Sequence, residues 1–79
     1  MRLTVSLFGS LRDRFGKGAS VQMEVGPGIR LREALRKFEG EQGALGADVA
    51  VALNGSLTRA DPELADGDEI LLLPPVSGG

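Results

Sequence analysis

At the start of the chain Leu3, Val5 and Leu7 alternate with Arg2, Thr4 and Ser6, the period-two pattern of a strand with one buried face. Phe8 falls on the opposite parity, and the residues leave two readings open: a strand-end side chain covered by the following loop, or an apolar group on the outer face of the sheet. Gly9-Ser10 breaks the strand, and Ser10 is placed to cap a short helical turn, Leu11 to Phe15, that Gly16 closes. Leu11 and Phe15 share a face of that turn, while Arg12, Asp13 and Arg14 read as solvated surface. A second strand from Ala19 to Val25 turns Val21, Met23 and Val25 inward and Gln22 and Glu24 outward. Strands joined so closely pair antiparallel.

After the turn cluster Gly26-Pro27-Gly28 the period changes. Leu31, Ala34, Leu35 and Phe38 recur at helical spacing, which predicts the one long helix of the chain. Its outer face carries Arg32, Glu33, Arg36, Lys37 and Glu39, with Glu33 and Lys37 at ion-pair spacing and Gly40 where the helix would end. The start, Gly28 to Arg30, offers no Ser, Thr, Asp or Asn. A weak or water-capped N-terminus is therefore expected, about 1 kcal/mol less stable than a capped one. Gly43 and Gly46 mark a loop and no phosphate cradle, since no strand precedes them and no Lys-Ser or Lys-Thr follows.

A third strand, Val49 to Leu53, sets Val49, Val51 and Leu53 on one face and Ala50 and Ala52 on the other. Asn54-Gly55 is a strong hairpin signal, making Ser56 to Thr58 a short return strand. Asp61-Pro62-Glu63-Leu64 reads as a capped single turn and Asp66-Gly67-Asp68 as a tight turn into the last strand. There Ile70 and Leu72 fill the core while Leu71 and Leu73 point the other way. One helix covers only one face of a sheet, so the second apolar face is left for a partner.

The order of elements predicts an α+β fold: a ubiquitin-like β-grasp, a mixed sheet with one main crossing helix. The last strand would lie centrally, parallel to the first, with its C-terminal arm leaving from the sheet edge. Residues 1–73 form the domain, and Pro74, Pro75, Val76, Ser77, Gly78 and Gly79 form an extended tail. Two prolines stop the strand and stiffen the arm. At ~3.1 Å per residue it holds the final carboxylate up to about 15 to 20 Å from the strand. The two terminal glycines let the backbone pass a slot too narrow for any side chain. The residues alone leave the tail open between this reading and a solvated chain end.

Composition matters here through what it removes. With no Cys and no His among the 79 residues, thiolate nucleophiles, imidazole bases and the usual zinc or haem ligands are absent. No metal site is expected. A net charge of −2, a pI near 5.0 and basic residues scattered among acidic ones give no footprint for nucleic acid. No apolar run approaches a membrane span and no signal peptide precedes the first strand, so a cytoplasmic domain that avoids membranes is the expectation.

Val5-Ser6-Leu7-Phe8-Gly9-Ser10-Leu11-Arg12-Asp13, Val51-Ala52-Leu53-Asn54-Gly55, Asp66-Gly67-Asp68-Glu69 and the stretch from Leu73 to Gly79 together resemble the MoaD/ThiS family of ubiquitin-like sulfur carriers. The resemblance spans essentially the whole chain and is most specific at the terminal motif. It is nearer to the small subunits of molybdopterin synthases than to the thiamine carriers, which are shorter and usually lack Pro-Pro before Gly-Gly. Arg30 departs from the Thr or Ser that caps the helix in many relatives.

The resemblance implies that an E1-like adenylating enzyme uses ATP to activate the Gly79 carboxylate, and that a sulfur donor converts it to a thiocarboxylate. No cofactor would be bound permanently. It implies further that the molybdopterin synthase large subunit binds the pterin precursor, supplies the catalytic side chains and receives sulfur for the dithiolene. Pro74 to Gly78 would thread the partner's cleft. The apolar parity of the last strand adds the expectation that Phe8, Leu71 and Leu73 form an outer-face patch that binds both the adenylating enzyme and the large subunit. Three alternatives stay open: a sulfur carrier for tRNA thiolation, cysteine or thiamine synthesis; a protein modifier joined through Gly79 to a lysine; and a binding module without terminal chemistry.

Overall fold

The computed structural model describes residues 1–15, 20–46 and 48–74. Its elements run β1 (Arg2–Leu7), α1 (Gly9–Phe15), β2 (Ser20–Glu24), α2 (Leu31–Gln42), β3 (Ala50–Leu53), β4 (Ser56–Leu57) and β5 (Glu69–Leu73). The five strands form one sheet in the order β2-β1-β5-β3-β4. β5 runs parallel to β1, and the other neighbouring pairs are antiparallel. This is the β-grasp arrangement, with the last strand at the centre as its sequence implied. The tail therefore leaves from the end of a central strand, and not from a sheet edge.

Strand parity holds across the sheet. Leu3, Val5 and Leu7 of β1 sit beside Met23 and Val21 of β2 and Ile70 and Leu72 of β5. Leu11 of α1, Leu31, Ala34 and Phe38 of α2, and Leu64 close over them in a single core. Phe15 meets Phe38 edge to face at 5.6 Å between centroids. Asn54 and Gly55, both at positive φ, form the hairpin turn. The Asn54 side chain ties it to the turn before β5, donating to Asp68 Oδ1 at 3.0 Å and accepting from the Glu69 N–H at 2.9 Å.

Several local expectations are corrected. α1 begins at Gly9, so Ser10 lies inside its first turn instead of capping it. Gly16, which was to close that helix, and Ala19, which was to open β2, lie outside the described residues. β3 starts at Ala50, one residue later than Val49. The return strand ends at Leu57, although the Thr58 N–H still donates to the Val51 carbonyl at 3.0 Å. α2 passes through Gly40 to Gln42 and ends at Gly43, whose φ is 123°. Two interactions favour this longer helix. Lys37 pairs with Glu41 at 3.6 Å in place of Glu33, and the Glu39 carboxylate accepts the Leu45 N–H at 2.8 Å, drawing Leu45 into the core.

The α2 N-terminus is the most informative correction. Arg30 precedes the helix without any side-chain cap of its own, yet the first turn does not depend on water alone. Residues 61–64 form no helical turn. They run extended along the helix start, with Glu63 bridged to Arg30. From there the Asp61 carboxylate accepts the Arg32 N–H at 2.8 Å and the Pro62 carbonyl accepts the Leu31 N–H at 3.0 Å. Two orphan donors of the first turn are thereby satisfied by a segment some thirty residues away. Asp61→Ala should lower stability by about 1 kcal/mol, read from the urea midpoint at unchanged slope. An unchanged midpoint would show that the remote cap contributes nothing.

Candidate functional site

No polar or charged side chain is buried among the described residues, and no cluster of acidic side chains there could hold a metal ion. An open groove of about 610 Å³ lies beside α2, its rim carrying Arg32, Arg59 and Asp48. Charges of both signs on an open rim do not make the enclosed apolar pocket typical of small-molecule sites. The candidate site is instead a surface, namely the face of the sheet opposite the helices.

The strand register defines that face. Residues directly opposite across a ladder share a side of the sheet. Ser6 stands opposite Ser20 on β2 and Leu71 on β5; Leu71 stands opposite Ala52 on β3, and Ala52 opposite Leu57 on β4. This row crosses all five strands on the side away from the core. One step toward the C-terminal end of β5, Leu73 stands opposite Ala50. Phe8 follows β1 on the same parity, its N–H bonded to the Leu72 carbonyl at 3.1 Å.

The outer face is therefore divided. On β1 and β2 it is polar, with Arg2 and Glu24 paired at 3.0 Å and Thr4 opposite Gln22. Beyond Glu69 at the start of β5, it is apolar over β5, β3 and β4. Phe8 is 47% exposed and Leu57 73% exposed, whereas Leu71 and Leu73 are half-buried. Of the two readings for Phe8, the outer-face one holds. Ala52 is only 4% exposed yet is no part of the core cluster; being small, it lies low between the outward Leu71 and Leu57. The three residues expected on this surface, Phe8, Leu71 and Leu73, are thus brought together at one end of the sheet.

Ala50 and Ala52, read from the sequence as facing away from Val49, Val51 and Leu53, extend the surface, and so does Leu57, which was not read from the sequence. The signal for Leu57 was present. A two-residue Asn54-Gly55 turn sets Leu53 opposite Ser56, which places Leu57 beside Ala52 on the face that Leu71 occupies.

Of the tail, Pro74 is described and half-buried. It packs over Gly9, where a Cβ would meet Pro74 Cγ at 3.1 Å. Pro75, Val76, Ser77, Gly78 and Gly79 lie outside the described residues. No described helix is long and apolar enough to cross a membrane.

With this geometry in hand, the family model described as ThiS family matches residues 5–79. SAMP1 from Haloferax volcanii superposes with a TM-score of 0.84 at 28% identity, covering 100% of both chains. A Pyrococcus furiosus chain assigned as molybdopterin converting factor subunit 1 gives a TM-score of 0.81 at 26% identity, covering 96% of this chain and 99% of its own. The complex of subunits 1 and 2 of the molybdopterin-converting factor from Helicobacter pylori contains a chain 36% identical, with a TM-score of 0.65 and 100% of both chains covered. No curated protein matches the chain.

The two faces of the sheet should respond oppositely to charge. Leu57→Asp should change the unfolding free energy by no more than about 0.5 kcal/mol. Leu72→Asp, at a position with no exposure, should cost more than about 3 kcal/mol or prevent folding. Denaturant titrations compare them, and a large loss from Leu57→Asp would place that side chain in the core.

Proposed function

The chain belongs to the ThiS family of ubiquitin-like β-grasp proteins, and on that premise we propose that it is a sulfur carrier that delivers sulfur for dithiolene formation in molybdopterin synthesis. The Gly79 carboxylate is the reacting group. An E1-like adenylating enzyme joins a carboxylate oxygen to the α-phosphorus of ATP and releases pyrophosphate. The resulting mixed anhydride has AMP as a good leaving group, which the resonance-stabilised carboxylate lacks. A sulfide-equivalent donor attacks the carbonyl carbon, AMP departs, and a thiocarboxylate remains. Its charge sits on a soft sulfur that attacks a carbon of the pterin precursor held by a large synthase subunit and displaces an oxygen leaving group; water then cleaves the acyl–sulfur bond, leaving the sulfur on the precursor and restoring the Gly79 carboxylate.

The observation that carries the reading is the family match that runs to Gly79. The domain supplies docking and the partners supply catalytic side chains. The Helicobacter pylori relative stands in complex with subunit 2 of its converting factor. A corresponding partner would cover Phe8, Leu57, Leu71 and Leu73 and receive residues 74–79. A second reading, a protein modifier joined through Gly79 to lysines, is supported by the likeness to SAMP1, a small archaeal modifier protein.

Intact mass spectrometry tests the reading. After incubation with the adenylating enzyme, ATP and a sulfur donor, the full-length chain should gain one oxygen-to-sulfur exchange on its C-terminal peptide. Deleting Gly79 moves the carboxylate back by about 3.5 Å and should abolish the exchange, because even 1 Å of misplacement costs about a hundredfold in rate. A full-length chain that stays unmodified, or a shortened one that still carries sulfur, overturns the assignment. Attachment of Gly79 to lysines in place of sulfur supports the modifier reading.

A further inference from the structure

Resting on that carrier reading, we propose that Gly9 is a positioning residue: it forms the seat for Pro74 and so sets the direction in which the reactive tail leaves the sheet. β1 and β5 run parallel and end side by side, Leu7 opposite Leu72. Their continuations therefore emerge together. The bond from the Phe8 N–H to the Leu72 carbonyl, 3.1 Å, holds the two ends in register immediately before Gly9 on one strand and shortly before Pro74 on the other. Gly9 then turns the chain into α1 with φ +58°, and a Cβ added there would lie 3.1 Å from Pro74 Cγ and 3.5 Å from Cδ.

The contact sets Gly9 apart from most of the other positive-φ glycines. At Gly28, Gly46, Gly55 and Gly67 an added Cβ would meet nothing within 4 Å, and at Gly43 it would meet only Phe15 Cε1, at 3.4 Å. The first four positions ask only for backbone freedom, whereas Gly9 must also leave room for the tail root. Any side chain at Gly9 would displace the Pro74 ring by a few tenths of an ångström. The displacement has little slack in which to dissipate. The proline rings fix φ at Pro74 and at the next residue in the sequence, Pro75, so little backbone freedom near the root can absorb the shift, and reaction rates respond to misplacements of about 1 Å.

Three full-length variants test the seat. Gly9→Ala carries both the collision and the backbone strain, Gly9→Asn keeps the collision in a residue that tolerates positive φ, and Gly67→Ala carries strain alone. In the wild type, nuclear Overhauser contacts should connect the Gly9 α-protons with the Pro74 ring. Both Gly9 variants should shift the amide signals of residues 76–79, and Gly67→Ala should not. With the E1-like adenylating enzyme and ATP, kcat for pyrophosphate release should fall about tenfold in both Gly9 variants while KM holds. Gly67→Ala should stay within about twofold of wild type. Absent contacts, or Gly9 variants adenylated as fast as Gly67→Ala, would overturn the proposal. A wild-type chain that is itself not adenylated refutes the carrier reading instead, and the contacts and tail shifts then decide whether the seat exists.

Discussion

The structure depends on where β5 lies. It is hydrogen-bonded to β1 on one side and β3 on the other, so both edges are used and only its two faces remain for side chains. Ile70 and Leu72 fill one face without exposure, and packing them fixes α2 across the sheet. The same alternation sends Leu71 and Leu73 to the other side, where the described residues supply no covering layer. One strand therefore anchors the core and generates the apolar outer surface. Its last residue, Leu73, leads directly into Pro74, so that surface and the root of the tail share one origin.

This economy suits a chain without Cys or His, whose described residues bury no ionisable group. Catalytic groups need burial, neighbouring charge and fixed hydrogen bonds to tune them, and the described residues offer no such place. A carrier needs none. The proposed carrier must present one carboxyl group at a set distance and direction, and for this the scaffold offers a central strand, a proline packed on a glycine, and an apolar surface at the strand end. The same architecture suits sulfur delivery and protein modification alike, because the two differ in what attacks the activated carboxyl.

Much of this was legible in the residues. Period-two alternation in β1 and β5 fixed which side chains face the core, and Asn54-Gly55 fixed a hairpin, because both signals are local and each is set by backbone geometry. What escaped was of two kinds. The cap on α2 comes from Asp61, far along the chain, and no window around Arg30 contains it; only the fold brings that carboxylate to the Arg32 N–H. Gly40 misled because a glycine inside a helix costs only about 1 kcal/mol, which the Lys37–Glu41 pair and the Glu39–Leu45 tether help to offset. Leu57 was legible in principle, since the hairpin register places it beside Ala52, but a two-residue strand has no periodicity of its own. Pro74 on Gly9 is a contact between the two ends of the chain that only the parallel pairing of β1 and β5 creates.

The central claim is that the outer end of β5 is the docking face and its inner side is core. Methyl-resolved NMR of the labelled chain, titrated with a molybdopterin-converting factor subunit 2, tests it most directly. The account predicts shifts or broadening at the methyls of Leu57, Leu71, Leu73 and Val76, with Ile70, Leu3 and Leu31 unmoved. Shifts confined to the α2 side of the groove, at Leu31, Leu35, Val49 and Val51, with the outer-face methyls unaffected, would contradict it.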